Sequence, residues 1–334
     1  MSTIPRRTPL LIVLAAVALL LSSCGSGGTG ASGDSPSVTL AGAYGEVDIA
    51  VTDEKVWALD PRTATELLAL GVTPTHSGNS AHKGDAAFVA REQLLAEAGV
   101  ELVDPGRIEL ILQARPSLVV GEQTPSSDEL IDELSKIAPV LIIDAATPWD
   151  QGLGLLGQAT GHRDRAEAII EHLDQAIATT GADIEQAGSA GEIVSLISAC
   201  GAGTFCAYGS GRTAGSILTD VGLRRPAAHG QDRGDASYGY TTVSEEKLSE
   251  LTAPVIFVFT GSVQYGAPNP LDNPLFEVGD ARVGEVDFAA WYGSGSFDVP
   301  WILNDIRAVL LGEGTIADRQ RGTELFQELR KVTA

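Results

Sequence analysis

From residue 38 onward, short apolar runs alternate with longer stretches whose apolar residues recur every three or four positions. The first kind of run predicts buried strands and the second predicts amphipathic helices. Val38–Leu40 and Val47–Val51, parted by Gly42 to Gly45, read as an entry hairpin. Val56–Leu59 reads as a strand, followed by Asp60 as cap, Pro61 as first helical residue and a helix ending before Gly71. Val72–Thr75 reads as the next strand, and the polar stretch His76 to Asp85 leads to a helix near Phe88–Ala98. The alternation continues with strands at Glu101–Val103, Leu118–Val120 and Leu141–Ile143. Helices are expected at Ile108–Ala114 and Asp128–Ile137, the latter with a capping box from Ser126 to Glu129, and another starts at Thr147-Pro148-Trp149.

The longest periodic stretch lies in the middle. Ala166, Ile169, Ile170, Leu173, Ala176 and Ile177 fall on one helical face, while Arg163, Glu167, Glu171, Asp174 and Gln175 fill much of the other. At 1.5 Å per residue the stretch spans roughly 25–35 Å, enough to act as a strut. Beyond it the alternation resumes less regularly. Strands are expected at Ile193–Ile197, Val255–Phe259 and Val283–Val286, and helices at Thr213–Val221, Glu245–Leu251, Val299–Leu311 and Ala317–Val332. Polar loops at Ala227–Tyr240 and Gly261–Asn273 come between them. The fold class this predicts is α/β: two lobes with parallel sheets, residues 38–160 and 186–334, joined by one long α-helix at 161–185.

The N-terminus has a different character. Arg6 and Arg7 precede an apolar run from Leu10 to Leu21 and then Ser22-Ser23-Cys24, the form of a secretory signal over residues 1–23. The run is too short for the ~20 residues of a membrane span. Leu-Ser-Ser-Cys resembles the bacterial lipobox, which implies cleavage before Cys24 and a lipid on its thiol. Residues 24–37 are rich in Gly and Ser and read as a flexible tether. The protein is thus expected outside the cytoplasm, lipid-anchored to the cell membrane. In that oxidising setting Cys200 and Cys206 are expected to form a disulfide. The net charge of −22 argues against a nucleic-acid partner and means that an anionic ligand needs locally placed cations.

Motifs for catalysis are missing. The sequence contains no Walker loop, no His-Glu-x-x-His and no Gly-x-Ser-x-Gly elbow. Gly209-Ser210-Gly211-Arg212-Thr213-Ala214 mimics a dinucleotide fingerprint but does not directly follow its strand. The five histidines show no ligand spacing, so no metal or cofactor is expected; His76, His82 and Asp85 share one polar loop, which reads as solvated.

Three stretches resemble one family, the iron–siderophore/cobalamin-type substrate-binding lipoproteins of bacterial ABC importers. They are Val-Trp-Ala-Leu-Asp-Pro-Arg-Thr-Ala-Thr-Glu-Leu-Leu-Ala-Leu-Gly-Val (56–72), Ile-Glu-Leu-Ile-Leu-Gln-Ala-Arg-Pro-Ser-Leu-Val-Val-Gly (108–121), and Thr-Val-Ser-Glu-Glu-Lys-Leu with the following Val-Ile-Phe-Val-Phe. The turn at Arg115-Pro116-Ser117-Leu118 departs mildly from the family's Lys-Pro-Asp-Leu type. The resemblance implies two Rossmann-like lobes with a ligand cleft between them, at the carboxyl ends of the strands. Its implied ligand residues in the first lobe are Arg62, His76, Lys83, Gln123 and Thr124. In the second lobe they are Arg212, Tyr208, Ser210, Tyr238, Tyr240, Tyr265, Trp291 and Tyr292, with Arg212 foremost. Arg offers a fixed cationic fork, and Tyr and Trp offer flat faces with a polar edge.

By the same resemblance Glu109 and Glu246 dock on permease arginines, with Glu245 the neighbouring alternative. The implied function is capture of an iron(III)-siderophore by a monomeric, non-enzymatic protein, iron being bound only as its chelate, and delivery to an ABC permease and its ATPase. The rivals are the same fold binding haem, cobalamin or a divalent metal through His76 and His82, and a secreted α/β hydrolase.

Overall fold

The entry hairpin forms as the pattern predicts: β1 (Ser37–Gly42) and β2 (Gly45–Ala50) pair antiparallel around Ala43 and Tyr44. The computed structural model describes residues 36–80, 84–104, 106–201, 203–229, 239–261 and 269–333. Residues 1–35, which hold the expected leader, Cys24 and most of the expected tether, lie outside the described residues, as do His82, Lys83, Tyr238 and Tyr265.

In the first lobe β3 (Val56–Ala58), β4 (His76–Gly78), β5 (Glu101–Val103), β6 (Leu118–Glu122) and β7 (Val140–Ile143) form one parallel sheet in the order β5-β4-β3-β6-β7. Alternation assigns its faces. Val56, Ala58, Leu118, Val120 and Leu141 face α1 (Pro61–Leu70), α2 (Ala86–Glu97) and α5 (Trp149–Thr160). Trp57, Val119, Val140 and Ile142 face α3 (Ile108–Ala114) and α4 (Pro125–Leu134). Helix α1 starts where expected, with the Asp60 carboxylate accepting from Thr63 N at 2.8 Å and from Thr63 Oγ1 at 2.9 Å. It ends at Gly71, whose φ of 88° only glycine adopts without strain.

Two local expectations need correcting. The strand expected at Val72–Thr75 lies at His76–Gly78, because Pro74 cannot donate to a ladder and pairing begins only at Thr75. The capping box of α4 is built from Thr124 and Ser127 rather than Ser126 and Glu129, with Pro125 at the first position.

The second sheet runs β10-β9-β8-β11-β12, with β8 (Val194–Gly201), β11 (Val255–Thr260) and β12 (Arg282–Asp287) parallel. To these it adds an antiparallel pair, β9 (Thr204–Tyr208) and β10 (Tyr240–Ser244), which the apolar pattern did not predict. Cys200 and Cys206 form the expected disulfide and tie β8 to β9. The outer face is covered by short 3-10 segments, including Glu245–Leu251, which the pattern had suggested as an α-helix.

The inner face of the second sheet packs on α7 (Thr213–Asp220), α8 (Phe288–Trp291) and α9 (Asp298–Leu311). Between the sheets runs α6 (Arg163–Gln186), 24 residues long, burying Ala166, Ile169, Leu173, Ile177, Thr180 and Ile184. It packs on α5 of the first lobe and on α7 and α9 of the second. The final helix, α10 (Arg319–Leu329), crosses back to pack on α2 of the first lobe as well as on α9. Arg165 of α6 anchors that return, donating to Ala69 O at 2.7 Å, to Arg330 O at 2.9 Å and to Val332 O. The apolar cores of both lobes merge into one continuous cluster around these helices.

Candidate functional site between the lobes

Parallel sheets open at the carboxyl ends of their strands, where each chain turns into a helix and leaves backbone and side chains free to face a ligand. In the first lobe that edge carries Asp60 and Arg62 after β3 and Glu122 at the end of β6. Arg62 Nη1 lies 3.0 Å from Glu122 Oε2, and both side chains are mostly buried. Asp60 stands behind them, its carboxylate accepting from Glu122 N at 2.9 Å. From the second lobe, Ser294 Oγ donates to Glu122 Oε1 at 2.7 Å, so one carboxylate is held by both halves. Burial pushes the Glu122 carboxyl up, but Arg62 and then Arg212, together with the hydrogen bonds from Ser294 and Arg62, hold it below the usual carboxylate range.

Arg212 is the N-cap residue of α7 and is buried. Its guanidinium carbon lies 3.7 Å from the centre of the Tyr292 ring, and its Nη1 donates to Tyr292 O at 3.0 Å. Tyr292 stacks in turn on Phe288 at 4.9 Å and meets Tyr208 edge-on at 6.1 Å. Burial raises the Tyr292 hydroxyl pKa, with Arg212 pulling the other way. Half-buried Tyr240 touches Tyr208 at 5.6 Å. The result is an aromatic shelf with one stacked cation, facing a paired arginine and carboxylate across the lobe boundary.

Of the residues expected to bind ligand, the structure brings Arg62, Arg212, Tyr240 and Tyr292 into this crevice, and Ser210 is exposed in the turn just before Arg212. Others lie elsewhere. Trp291 is 1% exposed, packs on Phe257 at 4.5 Å and spends its N–H on Asp305 at 2.8 Å; it is core. Tyr208 is also buried, with its hydroxyl paired to Ser198 Oγ at 2.8 Å, so it supports the shelf from beneath. His76 lies on a sheet face, stacked on Trp57 at 4.1 Å and 3.4 Å from Glu101; His82, its partner in the rival metal reading, is outside the described residues. The Thr124 hydroxyl is the cap of α4. Gln123 reaches Tyr44 of the hairpin turn.

Sequence reasoning missed Glu122 and Ser294. An acid closing the apolar run Leu-Val-Val-Gly-Glu was the available signal for Glu122, because a charge there ends a buried strand at the open edge. Nothing local marks Ser294, which reaches the site only through the packing of the lobes. Among the described residues no group of three or more His, Cys, Asp or Glu is placed to hold a metal ion.

A second tier of polar contacts locks the lobes behind the crevice. The Glu66 carboxylate on α1 accepts from Ser296 N at 2.9 Å and Phe297 N at 3.3 Å, and burial pushes its pKa up to about 7. Arg91 on α2 pairs with Asp298, both fully buried. Asp287 at the end of β12 accepts from Ala86 N at 2.6 Å and Ala87 N at 3.3 Å, capping α2 from the other lobe. The space left between Arg62, Glu66, Glu122, Trp149 and Ser294 is about 30 Å³.

The family model described as periplasmic binding protein matches residues 37–273. The chain belongs to this family. It is accordingly a binding protein and not an enzyme, which sets aside the hydrolase rival. The iron(3+)-hydroxamate-binding protein FhuD of Bacillus subtilis is 28% identical over 184 residues, 54% of this chain. The match spans only about half of that relative, 55% of its length. Among solved structures, the FhuD protein from S. pseudintermedius is similar with a TM-score of 0.68 at 19% identity, covering 83% of this chain and 98% of that one. Staphylococcus aureus SirA complexed with staphyloferrin B gives a TM-score of 0.64 at 20% identity, covering 82% and 98%. At these identities the likeness establishes the fold, two α/β lobes linked by a long helix.

Proposed function

We propose that the protein captures a ferric siderophore in the crevice between its lobes and delivers it to an ABC importer. The observation that carries this reading is the meeting of Arg62, Arg212, Tyr240 and Tyr292 from separate lobes and separate segments at the lobe boundary. A ferric chelate is a bulky, oxygen-rich body with flat arms; a fixed guanidinium and phenol rings complement its acceptors and its faces. The names of the similar proteins, binders of iron(III)-hydroxamate and of staphyloferrin B, support the same ligand chemistry.

Delivery rests on two exposed carboxylates. Glu109 opens α3 with its side chain 83% exposed, and Glu246 is exposed while Glu245 accepts from Asn273 at 2.7 Å. Glu246 is therefore the better docking group of that pair. Lipid on Cys24, after removal of residues 1–23, tethers the monomer beside its permease and ATPase. No helix among the described residues is long and apolar enough to cross a membrane.

Titration of the purified protein with ferric hydroxamate, catecholate and carboxylate chelates, haem and cobalamin, followed by tryptophan fluorescence, tests the reading. A ferric chelate is expected to quench saturably, and Arg212→Ala to weaken it by at least about tenfold, ~1.4 kcal/mol. Saturation by haem or cobalamin alone would move the protein to the rival ligands. Silence across the whole panel would remove the assignment.

A further inference from the structure

A crevice built for a polyanion would not place a carboxylate among its guanidiniums, yet this one does. Arg62 lies 3.0 Å from Glu122, whose side chain is 11% exposed. Ser294 fixes the carboxylate's other oxygen from the facing lobe at 2.7 Å. The neighbouring cations and hydrogen bonds keep Glu122 ionised, and Arg212 is near enough to be the second cation that does so. Two guanidiniums thus face one permanent carboxylate, in a protein of net charge −22.

Like charges repel most where water is excluded, and a buried carboxylate deprived of its partner is costly. A polyanionic chelate entering the crevice meets Glu122 directly, and displacing it from Arg62 strands a buried negative charge. A neutral chelate incurs neither cost: its oxygens accept from guanidinium N–H groups, while Glu122 accepts from amide or ammonium donors on its arms.

We propose that Glu122 sets the charge of the ligand, so that the crevice takes neutral or cationic ferric chelates and turns away polyanionic ones. This rests on the siderophore-binding reading and narrows it. Three singly charged hydroxamates cancel the charge of iron(III), whereas three doubly charged catecholates leave the complex strongly negative, so the two chemistries separate the classes.

The test is calorimetric titration of wild type, Glu122→Gln and Glu122→Asp with three probes: a neutral ferric tris-hydroxamate, a ferric tris-hydroxamate bearing a free ammonium group, and a ferric tris-catecholate. Wild type is expected to bind the first two and to bind the catecholate at least about tenfold more weakly (~1.4 kcal/mol). Glu122→Gln is expected to gain about tenfold for the catecholate and to lose affinity for the cationic chelate; Glu122→Asp, which keeps the charge, retains the wild-type order. A wild type that holds the catecholate as tightly as the neutral chelate overturns the inference, even if Glu122→Gln fails to fold. So does a folded Glu122→Gln with an unchanged order, and in both cases siderophore binding stands. Failure of all three probes overturns the inference, and silence of the wider panel, carboxylate chelates included, overturns siderophore binding with it.

Discussion

A guanidinium lying 3.7 Å over a phenol ring cannot swing freely, and the hydrogen bond from Arg212 to Tyr292 O fixes its height as well. Arg212 therefore presents a pre-set charge, which costs less side-chain entropy on binding than a free surface arginine. Arginine and tyrosine types were legible in the sequence as suitable chemistry, but their depth was not. Trp291 ends a four-residue helix and Tyr292 is its C-cap, and one faces the core while the other carries the cation. Only the packing of α8 decides which. His229 is a second residue whose role comes from depth. Its Nδ1–H donates to Tyr208 O at 3.0 Å, so its Nε2 accepts from Ser195 Oγ at 2.8 Å. Burial, with a smaller push from Arg225, lowers its pKa from 6.5 to about 4. The unfolded chain thus takes up the proton first, and the stability His229 contributes is complete above about pH 6.5 and is lost as pH falls toward 4. Compared with His229→Gln, wild type should lose up to ~3 kcal/mol of its advantage over that window. Denaturant midpoints at several pH values read it, and a gap independent of pH would contradict the assignment.

At the scale of elements, the long helix α6 was the most legible feature, because a sustained period of three and four admits one interpretation. Short strands were the least legible. His76-Ser77-Gly78 has no β-branched residue to announce a strand, and β9 was masked by the two cysteines that bracket its turn. Joints between elements were invisible, since they depend on partners far apart in sequence. Asp287 shows this: it caps α8 through Ala290 N at 3.1 Å and also caps α2 of the other lobe. Asp85, at the N-cap position of α2, makes no side-chain cap hydrogen bond there, so the cap comes from Asp287. Asp287→Ala should remove two caps together and cost about 2–3 kcal/mol in urea unfolding, against ~1 for an ordinary cap. A loss under about 0.5 kcal/mol would mean that water replaces the carboxylate at both helices.

For the whole molecule, the two-lobed plan could be read from the alternation of strands and helices, but the closeness of the lobes could not. Their cores merge, α10 returns to α2, and Glu66, Arg91 and Asp287 each bind across the boundary. Such a frame favours small adjustments around a ligand over a wide hinge. It also concentrates the two guanidiniums and the aromatic shelf at one place in a protein of net charge −22, the place proposed to receive iron as a chelate. Anomalous diffraction at the iron edge, from crystals grown with a ferric siderophore, tests it most directly. One iron peak is expected between the lobes, beside Arg212 and Tyr292. Iron found instead in the groove of about 710 Å³ between α6, α9 and α10, or at neither place, would contradict it.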